Sequence, residues 1–326
     1  MSETPIGYSS MKILKKPEGE TKGALILSQV DNVVSRLPFI KNKFYLIERR
    51  GWRGLNESQY ADIKLVEDLS FWDETMERFP DSICLDIGPA DFVDTDAFRP
   101  LGIKKDYDGI QVSHWTNFKR PEMFVRAAGM LPGRNFVKLG HFVEGGSGSE
   151  CELRDSNMSL AREVGANVDF PYAKAVDNNS FPSSKEAMNI YINRARIGIL
   201  TTKVEGINRF KMECLAAGVP VLVPADVSYP TKKHITEETG ELFEPTPEGL
   251  AKTIEWVLTN LDRYNPRGYI ERTTGKHIAL GKLKSALETI CTRNGVQYMF
   301  ENINWDGRNQ SLIWGKNVFE TLRRYR

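Results

Sequence analysis

The stretch EGINRFKMECLAAGVPV, residues 205–221, carries the plainest sign of the architecture. It follows the apolar run RIGILTT (196–202) and leads into VPVLVPA (219–225), so strand, helix and strand succeed one another with almost no connecting chain. β-rich runs flanking a helical pattern, here expected around 208–217, build βαβ units and hence parallel sheets. Glu205 and Gly206 fall at the strand-to-helix turn, and Asn208 is a good N-cap. The backbone N–H groups there, with the helix dipole, make an anion site that would hold a diphosphate without a metal. Glu213, inside the helix, lies on the shoulder of the stripe Phe210, Cys214 and Ala217, which predicts a half-buried carboxylate. Such a group needs donors, and the vicinal hydroxyls of a ribose supply two. An ordinary surface salt bridge to Arg209, four residues earlier, is the alternative.

Outward from this segment the same alternation continues. Strands are expected at 108–114, 135–142 and 166–173, and helices at 119–131, 151–166, 183–195 and 246–261, with Pro121 in the first turn of its helix. Nucleotides bind such series at the carboxyl ends of the strands. Nearer the start the pattern is sparser: strands at 23–30, 43–50 and 82–88 and a short helix at 71–79. Residues 94–106, with Pro100, Gly102 and a run of charge, read as a connection between domains. The expected organisation is a reduced amino-terminal domain (1–103), a nucleotide-binding Rossmann-like domain (104–267) and a helical segment (268–326) able to cross back over the first domain.

Composition narrows the function. A chain of 326 residues suits two domains. With 44 Lys and Arg against 43 Asp and Glu, the net charge of +1 gives no global field toward nucleic acid or anionic lipid. A small or nucleotide ligand is the better expectation. Cys84, Cys151, Cys214 and Cys291 stand far apart and read as reduced thiols. The polar start lacks a signal pattern, and no run approaches the ~20 apolar residues of a membrane span. A cytoplasmic protein, able to work at a membrane surface, is expected.

Several blocks resemble, in order, the large family of retaining glycosyltransferases numbered four, whose fold is GT-B: two Rossmann-like domains facing a cleft. VDTDAFRPL (93–101) is similar to the interdomain G-V-D-x-x-x-F-x-P segment, and residues 110–140 to the V-G-R-L-x-x-x-K-G element and the strand after it. Residues 201–227 and 239–254 are similar to the E-x7-E element and its sequel. The resemblance covers residues 90–260. It implies transfer of a hexose from a nucleoside-diphosphate sugar to a saccharide or lipid acceptor, with retention and with neither metal nor further cofactor. It also implies that Glu205 meets hydroxyls of the donor sugar and Glu213 the ribose. Gly206, Ile207 and Asn208 would offer N–H groups, Lys119 would stabilise the departing diphosphate, and Phe170, Pro171 and Tyr172 would lie by the base.

Departures from the pattern include His114, which replaces a phosphate-binding Arg, Asn208, which replaces the second Gly of E-G-x-G, and Lys211, which stands where an apolar residue is common. A non-catalytic sugar-nucleotide binder and a sugar-nucleotide epimerase are the alternative readings. Other signals have plainer explanations. Asp94-Thr95-Asp96 spells the D-x-D of metal-dependent transferases but lies in the connecting segment. Gly145, Gly146 and Gly148 lack P-loop spacing, and His141 and His234 lack partners at metal-ligand spacing. The basic clusters Arg49, Arg50, Arg53 and Arg323, Arg324, Arg326 read as solvated.

Overall fold

The computed structural model describes residues 9–49, 58–141, 148–171, 182, 184–307 and 312–326. The chain divides into two units, 1–92 with 274–326, and 93–273.

The first unit begins with β1 (Ser10–Lys15), β2 (Gly23–Leu27), α1 (Val30–Arg36), the single turn α2 (Ile40–Lys43) and β3 (Phe44–Arg49). β4 (Ile63–Leu65), α3 (Trp72–Arg78) and β5 (Ile83–Leu85) follow. Strands β2 to β5 are parallel and lie in sequence order, with β1 antiparallel to β2. GALIL and the run FYLI are buried throughout, as continuous apolar strands covered on both faces must be. β1 and β4 escape the sequence reading because lysines interrupt their apolar runs. Lys64 of β4 is nevertheless buried, its Nζ 2.6 Å from Glu48 Oε2.

The second unit runs β6 (Tyr107–His114), α4 (Pro121–Gly129), β7 (Phe136–His141), α5 (Gly148–Glu163), β8 (Val168–Asp169), α6 (Lys185–Arg194) and β9 (Ala195–Ile199). It continues with α7 (Arg209–Ala216), β10 (Val221–Pro224), α8 (Tyr229–Lys232), β11 (Gly240–Phe243), α9 (Pro247–Thr259) and α10 (Pro266–Thr273). The six strands among its described residues are all parallel, in the order β8-β7-β6-β9-β10-β11. Numbered within the unit this is 3-2-1-4-5-6, the doubly wound dinucleotide-fold order, whose winding reverses between β6 and β9. Phe124, Phe136, Ile197, Ile199, Leu222, Leu250 and Ile254 share one core of this unit. α7 is buried from Phe210 to Ala216. Gly218 follows it with φ +76°, and a Cβ there would stand 3.3 Å from Pro100 Cγ, so the position asks for glycine on both counts.

Residues 93–103 fold with this second unit rather than with the front of the chain. Arg267 Nη1 donates to the carbonyls of Thr95 (2.8 Å), Phe98 (3.0 Å) and Ala216 (2.9 Å). Leu101 N donates to Asn193 Oδ1 at 2.8 Å. Asp94 serves as a turn cap, accepting from the Asp96 and Ala97 amides and pairing with Lys185.

The chain then returns to the first unit as α11 (Lys276–Arg293), β12 (Ile313–Trp314) and α12 (Lys316–Arg323). α11 packs Ala279, Leu283, Leu287 and Cys291 in one core with Ile26, Ile47 and Ile63. α12 places Val318, Phe319 and Leu322 with Leu25 and Leu46. β12 pairs antiparallel with β1. The returning segment thus covers both faces of a sheet whose strands are apolar on both. Arg323, Arg324 and Arg326 are exposed.

Candidate functional site

Reversal of winding leaves a crevice at the carboxyl ends of β6 and β9. Lys119 lies in the turn after β6 and Glu205 in the turn after β9. The fold pairs Lys119 Nζ with Glu205 Oε2 across 86 residues of sequence. Lys119 is only 8% exposed, so its charge has a carboxylate partner in a largely dry place. Asn208 Nδ2 donates to the same Glu205 oxygen at 3.1 Å, while its Oδ1 accepts from Lys211 N at 2.9 Å and caps α7. Lys119, Asn208, Gln111, Ser113 and Thr201 line one small pocket.

The backbone of each turn is fixed from several sides. Thr201 Oγ1 donates to Lys119 O at 2.6 Å and accepts from Gln111 Nε2 at 2.6 Å. Lys203 N donates to Phe118 O at 2.8 Å. Arg120 follows Lys119 where the resembled pattern has Gly, and it keeps a left-handed backbone, φ 46°. That conformation is costly for a residue with a side chain. Its guanidinium offsets the cost with donations to Thr201 O and to Thr202 O (3.0 Å) and a two-pronged bond to Asp226, 2.8 Å at each prong. Arg120 holds the Asp226 carboxyl below the ordinary aspartate range, mainly through those hydrogen bonds.

The Glu205–Gly206 turn is held by α8 and the residue before it. Ser228 Oγ donates to Glu205 O at 2.5 Å, and Thr231 Oγ1 lies 3.1 Å from Glu205 O and 3.0 Å from Gly206 O. On β7, Lys138 is buried against Trp115, its Nζ 4.6 Å from the ring centroid and 2.7 Å from Ser113 Oγ. Burial, and secondly the charge of Lys119, push the Lys138 ammonium well below its usual pKa. Trp115 lies so close to Gly140 that a Cβ there would fall 2.1 Å from the indole.

The remaining expected residues are placed as follows. Gly206 and Ile207 lie in the turn and are buried, Arg209 opens α7, and His114 ends β6 half-buried. Glu213 is 6% exposed, not half-buried, because α7 is covered on every side rather than along one stripe. Its surroundings are those of a buried group. Phe170 packs by Trp115, with 6.3 Å between ring centroids. Tyr172, Gly145, Gly146, Arg50 and Arg53 lie outside the described residues. Gly148 begins α5, and His234 Nδ1 lies 3.3 Å from the Tyr269 hydroxyl. Arg120, Lys138, Ser228, Thr231 and Asp226 are not singled out by the sequence reading. Only the Arg after Lys119, in place of Gly, carries a local signal.

No family model and no curated protein matches the chain. Solved structures do. HepE of Anabaena, crystallised with UDP, superposes with a TM-score of 0.62 at 12% identity, over 79% of this chain and 76% of that one. Sucrose-phosphate synthase of Thermosynechococcus elongatus gives 0.57 at 17% identity, over 76% and 69%. A glycosyltransferase of Rickettsia africae gives 0.58 at 12%, over 80% and 82%. The fold is mixed α/β with a largely parallel sheet in each unit, that of the GT-B glycosyltransferases.

Proposed function

We propose that the chain is a glycosyltransferase that binds a nucleoside-diphosphate sugar at the carboxyl edge of the second unit's sheet. The observation that carries this reading is the Lys119–Glu205 pair at the reversal of winding, beside the Asn208-capped start of α7. In this reading Lys119 and the positive end of α7 neutralise the diphosphate as it leaves. Glu205 orients the hexose through its hydroxyls, and buried Glu213 takes the ribose hydroxyls. Transfer to a saccharide or lipid acceptor with retention follows the sequence resemblance. Uridine is the first base to test, since HepE was crystallised with UDP and with UDP-glucose. No described helix is long and apolar enough to cross a membrane.

Calorimetry with UDP, GDP and ADP, followed by donor turnover over an acceptor panel, tests the proposal. Absence of binding to all three refutes it. Binding with no turnover supports the second reading, a non-catalytic sugar-nucleotide binder, which is favoured by His114 standing where the resembled pattern has a permanently charged Arg.

A further inference from the structure

Lys211 is wholly buried, although the pattern this helix resembles has an apolar residue there. Its Nζ donates to Thr231 O at 2.9 Å and to Lys233 O. These carbonyls belong to the last part of α8 and the residue just beyond it. The same segment carries Ser228 and Thr231, whose hydroxyls hold the Glu205 and Gly206 carbonyls. A trans peptide points its N–H opposite to its C=O, and the described chain has no cis bond. Drawing those two carbonyls toward α8 therefore turns the N–H groups of Gly206 and Ile207 to the other side of the turn.

The geometry points to Lys211 as a positioning residue that acts through Thr231 to preset the Gly206 and Ile207 N–H groups for the donor's diphosphate. This rests on the donor-site reading above. Lys211 itself touches no substrate. It anchors α8, α8 fixes two carbonyls, and the amides behind them are ordered before ligand arrives, so binding has less ordering to supply.

The test uses the full chain with UDP as probe. Thr231→Val keeps the shape and removes the hydroxyl, and Thr231→Ser restores it. Thr231→Val should weaken UDP about tenfold, the worth of one good hydrogen bond, while Thr231→Ser stays near wild type. Lys211→Met should weaken UDP to a similar degree, and the double variant should lose no more than the worse single variant, as residues acting in one chain do. Backbone amide NMR order parameters at residues 206 and 207 should fall in Lys211→Met and Thr231→Val without ligand. Unchanged order parameters there, or additive losses in the double variant, overturn the inference. If wild type binds no nucleotide, the donor-site reading fails; the order parameters alone then report whether Lys211 orders the turn.

Discussion

Glu205→Gln separates the two roles assigned to this carboxylate. Lys119 is already paired with Glu205, so an arriving diphosphate must share that cation with a carboxylate. A unit charge about 6 Å from a phosphate repels it by about 2–3 kcal/mol at an effective dielectric of about 20. The Glu205 side chain is 22% exposed, and hydration reduces the repulsion to about 1–2 kcal/mol. Removing the charge should therefore tighten free UDP by about 5- to 30-fold. Donor turnover should fall about 100-fold, because Gln cannot supply charge-assisted bonds to the sugar hydroxyls. Calorimetric titration with UDP, and the rate of UDP release from the sugar nucleotide with acceptor present, measure the two effects. Weaker UDP binding by Glu205→Gln would refute the assignment, since the carboxylate would then be serving the nucleotide rather than the sugar.

Packing and charge elsewhere in the second unit give three more expected outcomes. Gly140→Ala forces a Cβ into the Trp115 indole and should cost about 1–3 kcal/mol in urea unfolding, as overpacking does. Lys138 has a lowered pKa in the folded state, so the unfolded chain binds more protons and this residue makes stability rise with pH up to the unfolded lysine range, about 10. Lys138→Met lacks that slope, and thermal melts should show the balance between variant and wild type shifting toward wild type as pH rises. Asp226 has a depressed pKa when folded, so its contribution is present above the ordinary aspartate value of 3.8 and is lost as pH falls through the lower folded value. Asp226→Asn should flatten that acid limb in melts taken from about pH 6 down to about pH 2.

Much of the second unit was legible because its elements are local. RIGILTT, the Asn208 cap and VPVLVPA specify β9, α7 and β10 by apolar runs and one capping side chain, and the observed bounds differ mainly at the ends. The first unit was less legible. β4 is three residues with a lysine at its centre, and that lysine is buried because Glu48 meets it from β3, a partner 16 residues away that no periodicity announces. The reduced domain expected from residues 1–103 is completed by α11, β12 and α12, part of the carboxyl-terminal segment expected to cross back over it, but which faces that segment covers was not readable.

Alternation of strand and helix, the turn bearing Glu205 and Gly206, and the cap that starts α7 were all readable from residues a few positions apart, because each depends on near neighbours. Nothing local places β6 beside β9, which brings Lys119 to Glu205, or sets Ser228 and Thr231 against the 205–206 turn. Nor does one helix show that its own carboxylate is buried, since the exposure of Glu213 depends on what covers every face of α7. Such pairings arise from sheet order and helix packing, and those are settled by the sum of apolar contacts across the whole unit rather than by any one stretch of chain.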